Sequence, residues 1–373
     1  MKNNKIILGF WAKLSAQCRR QKKPIMCLAP MSDVTDEAFR QMFVKYGKPD
    51  VFWTEFVSVA GLCSRGRDNM LIDLKFKPNE RPIVAQIFGA NPECFYESAR
   101  FLVKLGFDGI DINMGCPDRK IEKQGAGAAL MKNYKLAQEI ILATKEGARL
   151  RPEQIGTPAR QARQIPISVK TRIGYNKDEI ETWIPTLLEA KPEAIILHGR
   201  TRKEMSRVPA HWDAIGRAAK IVKASKLETL VIGNGDVVDL ADAYQKAREY
   251  KLDGIMVGRA VFGNPWWFCT HLPPPLPQGE EEKRRLKAMI EHAKLFEKLY
   301  KGQPASANAS ARFAGVPARR ARRGKNFNIM KKHFKAYAAG FEGAKELRVK
   351  LMKTKDTAAA QKIIKEFIND KKY

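Results

Sequence analysis

No apolar run in this 373-residue sequence approaches the roughly 20 residues that a membrane-spanning helix needs. The longest are about strand length, so no membrane partner is expected. The start, MKNNKIILGFWAKL, has a basic head and a short apolar run. Lys13 follows at once and no small-residue cleavage site appears, so it does not read as a signal peptide. The six cysteines, at 18, 27, 63, 94, 116 and 269, contain no CxxC and join no Cys/His cluster of zinc spacing. A disulfide framework and a metal site are therefore not expected, and a reducing cytoplasm fits. Nor does GxGxxG follow the first strand-like run, which argues against a Rossmann domain. GAGAAL (125–130) lacks the third glycine and reads as a tight turn.

What the sequence has in excess is positive charge, +28 in all. From Glu280 to the end, 25 Lys and Arg face 10 Asp and Glu, so +15 of that excess lies in the last quarter. A surplus of this size speaks to partners rather than to fold, and above all to polyanions such as nucleic acid.

Short β-branched runs recur along the first 270 residues: PIMCLAP (24–30), VFWTEFV (51–57), PIVAQIF (82–88), GIDINM (109–114), PISVKTR (166–172), AIILHG (194–199), LVIGNG (230–235) and GIMVG (254–258). Amphipathic segments such as DLADAYQKAREYK (239–251) separate them. Apolar strands alternating with helices imply a parallel sheet covered on both faces. Eight such units fit the α/β class as a (β/α)8 TIM barrel over residues 1–270. HLPPPLPQGEEE (271–282) then reads as a proline-stiffened linker. Residues 283–373 shift to Ala, Lys and Leu and read as a small basic α-helical domain. Three stretches look inserted: SAQCRRQ (15–21) before strand one, LRPEQIGTPARQARQ (150–164) before strand five, and SANASARFAGVPARRARRGK (306–325) within the helical domain. The last two share G-x-P-A-R-x-A-R.

Barrel active sites lie at the C-terminal ends of the strands. Those ends carry Pro30-Met31, Gln86, Asn113 with Cys116, Lys170 with Arg172, His198 with Arg200, Asn234-Gly235-Asp236 and Gly258-Arg259. Random surface polarity would not place a polar group at nearly every strand end. The glycine-rich ends of strands seven and eight are where barrels commonly bind phosphate, through backbone N–H groups and a helix N-terminus. Arg259 can pair with such a phosphate in bidentate fashion.

Seven motifs in order carry a family resemblance: APMSDVTDEAFR (29–40), AQIFG (85–89), DINMGCP (111–117), VKTRIG (169–174), LHGRT (197–201), GNGD (233–236) and VGRAVFGNPW (257–266). Together they resemble the tRNA-dihydrouridine synthases, and FNIMKKHFKAYAAGF (327–341) resembles that family's tRNA-binding domain more loosely. The resemblance implies a flavin enzyme that reduces uridines of tRNA, with FMN at the barrel mouth and NADPH, or NADH, as reductant. It implies Cys116 as proton donor to uracil C5, opposite a hydride delivered to C6. A thiol with an ordinary pKa of about 8.5 is mostly protonated at neutral pH, which suits a general acid.

The resemblance further implies that Pro30, Met31 and Ser32 pack on the flavin, that Gln86 meets its edge, and that Lys170 and His198 lie beside it. Asn234, Gly235, Asp236, Gly258 and Arg259 would hold its phosphate. Asn113 and Arg200 are expected to orient the uracil and the RNA. A monomer is expected. A barrel reducing a small free substrate would leave the +15 tail without a role, and a non-catalytic RNA-binding relic would not keep so full a ring of site residues.

Overall fold

A computed structural model describes residues 9–149, 164–270, 277, 279–301 and 324–370. Among the described residues nine strands pair in parallel: β1 (Ile25–Leu28), β2 (Phe52–Trp53), β3 (Val57–Ser58), β4 (Ile83–Phe88), β5 (Gly109–Met114), β6 (Ile167–Arg172), β7 (Ala194–His198), β8 (Leu230–Asn234) and β9 (Gly254–Val257). Neighbours run β1-β9-β8-β7-β6-β5-β4-β2, with β3 also on β4. A bridge from Cys27 to Val51 brings β1 back to the second strand. The sheet is thus a (β/α)8 barrel in which β2 and β3 share the second position.

All eight apolar runs are strands, and only the second is broken. At the break Thr54 Oγ1 donates to the Glu55 carbonyl (2.8 Å) and accepts the Gln86 N–H (3.2 Å). This local bonding competes with the ladder, and the Glu55 carboxylate turns to the Asp33 N–H and to Lys325.

Alternate residues of each barrel strand point inward. One end of the interior is an apolar plug that includes Cys27, Trp53, Val84, Ile196, Ile232 and Met256. The helix Phe10–Arg20 adds Trp11, Leu14 and Cys18 to the same cluster and closes that end. Residues 15–21, expected as a longer approach to strand one, belong mostly to this helix. The signal was the spacing of Trp11, Leu14 and Cys18, which forms one apolar helical face. Two residues further along the same inward faces come Gln86, His198, Asn234 and Gly258, with Lys170 and Asn113 in register on β6 and β5. Period-two geometry therefore gathers the expected site residues at one mouth.

The C-terminal region forms helices Glu280–Tyr300, Met330–Tyr337, Ala344–Leu351 and Thr357–Asp370. The first starts at Glu280, inside the expected linker, because Glu280, Glu281 and Glu282 occupy its first turn and complement the helix dipole. Leu286, Met289, Phe296, Phe334 and Leu347 share a core with Ala38, Met42 and Trp266 of the barrel. Each such burial contributes about 1.5–3 kcal/mol, so the helical region is fastened to the barrel by a common apolar core. Beside it Arg40, fully buried, pairs with Glu80 (2.6 Å) and donates to the carbonyls of Thr35 (2.7 Å) and Lys75 (2.5 Å). Almost all of 150–164 and 306–325, including both G-x-P-A-R-x-A-R stretches, lies outside the described residues, as does most of the proline linker.

Candidate active site

After β5 the chain turns sharply, and Asn113 builds the turn. Its Oδ1 accepts the N–H groups of Gly115 (3.1 Å) and Cys116 (2.9 Å), and its Nδ2 donates to Gln86 Oε1 (3.0 Å). The Ala128 N–H donates to the Cys116 carbonyl (3.0 Å), so the GAGAAL stretch braces the cysteine. Gly127 there has φ +61°, and a Cβ would stand 2.8 Å from that carbonyl. The Cys116 thiol is partly exposed. Burial raises its pKa, outweighing the Asp118 N–H and the charges of Arg172 and Lys170, which favour the thiolate. It is a thiol, not a thiolate, at neutral pH.

Near Cys116 a cavity of about 350 Å³ opens at the mouth, within the range of small-ligand sites. Pro30, Met31, Pro117, Lys170, Arg172, His198, Arg200, Asn234, Gly235, Asp236, Gly258 and Arg259 are among its walls. Four cations there face one carboxylate. Lys170 Nζ donates to Asn234 Oδ1 (3.2 Å), and Asn234 Nδ2 is anchored on the Met256 carbonyl (2.8 Å). Burial, then Arg172, lowers the Lys170 pKa to about 8. Burial and the surrounding cations hold His198 well below the ordinary range, so its ring is neutral at pH 7. Arg200 can only donate, so His198 Nε2 accepts from it (3.2 Å) and the ring proton sits on Nδ1.

Asp236 ties the far wall together. It accepts from Arg200 and from the Ala210 N–H (2.9 Å) on one oxygen and from Arg259 (2.7 Å) on the other. Burial would raise its pKa, but these donors outweigh it and hold the carboxyl below its usual value. Gly235 has φ +135°, and a Cβ there would meet Ala210 Cβ at 2.7 Å, so this turn needs glycine. Gly258 differs. A Cβ on it would make ordinary contacts with Ala29 and the Met31 sulfur at 3.7 and 3.8 Å. The protein has room for a side chain there, and its absence keeps the cavity open beside Arg259.

The expected helix N-terminus is not part of this wall. After β9 the chain makes only a short 3₁₀ turn, Arg259–Val261, and the helix Leu240–Glu249 has its first turn capped by Asp239. Any anion at these strand ends would be met by loop amides and arginines. Three expected contacts are already bonded to partners within the protein. Gln86 has no exposed surface and donates to Asp111 Oδ2 (2.6 Å). Asn113 spends its polar atoms on the turn. Arg200 is 3% exposed and engages Val208 O, His198 and Asp236. Ser32 lies exposed beyond Met31 and does not line the cavity.

Asp111 was missed. It is fully buried, also accepts from Ser168 Oγ (2.6 Å), and is raised to about 6 by burial against these donors. Its signal was an acid inside the apolar run GIDINM. Arg172, left without a role by the sequence, donates to the carbonyls of Gly115 (2.7 Å), Thr201 (3.1 Å) and Met205 (3.0 Å), tying the cysteine loop to the loop after β7.

Fold and site define a (β/α)8-barrel enzyme with a cation-walled mouth beside a protonated thiol. The dihydrouridine synthase (Dus) family model matches residues 27–372. The chain belongs to that family. It is 35% identical over 361 residues to a "Probable tRNA-dihydrouridine synthase" of Staphylococcus aureus (strain COL), covering 96% of this chain and 95% of the relative. It is 34% identical over 367 residues to "Probable tRNA-dihydrouridine synthase 2" of Bacillus subtilis (strain 168), covering 98% of each. Among solved structures, histamine dehydrogenase from Rhizobium sp. 4-9 aligns with 73% of this chain and 49% of that chain, at a TM-score of 0.45 and 12% identity.

Proposed function

We propose that this chain reduces specific uridines of tRNA to 5,6-dihydrouridine, with FMN as bound cofactor and NADPH or NADH as reductant. The observation that carries the reading is the protonated thiol of Cys116, held by Asn113 and Ala128 near the rim of a cavity walled by cations. FMN, when bound, would supply the hydride for uracil C6. Lys170, His198, Pro30 and Met31 would hold its ring, and Asn234, Gly235, Asp236, Gly258 and Arg259 its phosphate end. The open wall at Gly258 and the four cations fit a phosphate-bearing, electron-accepting group.

The chain's own residues then have distinct tasks. Cys116 Sγ gives its proton to C5, and a thiol kept protonated by burial is ready to do so. Lys170 holds a positive charge where negative charge develops. Neutral His198 presents Nδ1–H as a donor. Asn113, Gln86 and Arg200 act as positioning residues. The helical region that begins at Glu280 would grip tRNA phosphates, the residues after 270 joining it to the catalytic barrel 1–270.

Protein purified from cells should be yellow and release FMN on denaturation. NADPH should bleach it, and tRNA lacking dihydrouridine should restore the colour under anaerobic conditions. A protein that cannot be loaded with FMN, or whose bleached form ignores tRNA, contradicts the reading.

A further inference from the structure

Two lysines of the helical region bear on the loop after β1, one through Glu55 and one directly. The Lys325 side chain is 7% exposed and pairs with Glu55 and with Asp73 (2.8 Å). Glu55, itself 5% exposed, sits in the break between β2 and β3, where its other oxygen accepts the Asp33 N–H. Asp33 closely follows Pro30 and Met31, which line the cavity. It is held at φ +54°, a conformation that strains a residue with a Cβ. Lys332, on the helix that follows, pairs with the Asp33 carboxylate on the surface (3.3 Å).

A buried ion pair is weak evidence for stability, since desolvating two charges offsets much of their attraction. Its better-attested use is to fix one arrangement among several. Here the arrangement joins residues 270 apart in sequence, and it ends on a strained loop at the cavity wall.

We propose that Lys325 and Glu55 are positioning residues which, through the Glu55–Asp33 hydrogen bond, set the Pro30–Met31 wall of the cofactor cavity and make it depend on the docking of the helical region. The inference rests on the flavin reading above. Burial, with Asp73 and Asp36, pushes the Glu55 pKa up to about 7 and Lys325 opposes that rise; the carboxylate that Lys325 holds accepts the Asp33 N–H, and that bond fixes the loop. Load placed on the helical region by a bound RNA would thus reach the cofactor wall.

The test uses full-length protein with its flavin removed. FMN is added back and followed by flavin fluorescence, and amide exchange in residues 31–35 is followed by mass spectrometry. Lys325→Met and Glu55→Gln should each weaken FMN binding about tenfold, within the usual range of coupled neighbours. Both should speed exchange in 31–35, and the double variant should be no worse than either single. Lys325→Arg should restore most of the affinity. If Lys325→Met does not fold, Lys325→Gln replaces it. Unchanged FMN affinity in both single variants overturns the proposal, whatever the exchange shows, because the pair would then only clasp the fold. Effects that multiply in the double variant overturn it too. Wild-type protein that takes up no FMN overturns the flavin reading instead, and the exchange measurement, which needs no flavin, separates the two failures.

Discussion

Replacing Lys170 with methionine should stabilise the flavin-free protein while crippling its reaction. Burial, then Arg172, lowers the lysine from 10.5 to about 8. At about 1.4 kcal/mol per pKa unit, keeping the ammonium charged, with Asp111 offsetting only part of the effect of burial, costs up to about 3 kcal/mol. Partial solvent contact and the lost bond to Asn234, about 1 kcal/mol, reduce the net gain of Lys170→Met to about 1–2 kcal/mol at pH 7. The sign follows from proton linkage. Between pH 8 and 10.5 the unfolded chain binds more protons at this lysine than the folded one, so wild type gains stability as pH rises through that window. Below pH 8 the penalty is fully present, and above 10.5 it is gone. Urea unfolding of both flavin-free proteins from pH 6 to 10 reads the difference. Lys170→Met should have the higher midpoint at pH 7, with the advantage shrinking as pH passes 8. A variant less stable than wild type at pH 7, or an advantage that grows with pH, would refute the reasoning.

Cys116→Ala should leave flavin content and reduction by NADPH nearly intact while slowing tRNA-dependent reoxidation by about 10²–10⁴, the usual contribution of a general acid; stopped-flow absorbance separates the two half-reactions. Gly258→Leu, whose Cβ would make only ordinary contacts, should purify folded but colourless because the side chain fills the cavity; full flavin occupancy would mean that FMN lies elsewhere. Arg40→Met leaves Glu80 buried without its partner, so unfolding should come about 3–5 kcal/mol sooner in urea.

Much of the barrel was legible because parallel strands buried on both faces print as short apolar runs, and all eight runs became strands. The break at Thr54–Phe56 was not legible, because it depends on Glu55 finding Lys325 some 270 residues away. The capping helix Phe10–Arg20 could have been read from Trp11, Leu14 and Cys18. The strand ends come together at one mouth, since period two forces Gln86, Lys170, His198 and Asn234 to one side. They could not say which polar atoms stay open. Gln86, Asn113 and Arg200 are spent inside the protein, on partners that only the folded chain brings near.

The central claim is tested most directly by the product. Purified protein, NADPH and tRNA transcribed without modifications are incubated together, and the RNA is digested and mapped by mass spectrometry. The account predicts dihydrouridine at a small set of uridines, dependent on NADPH and lost in Cys116→Ala. Consumption of NADPH with no dihydrouridine in any tRNA would contradict it.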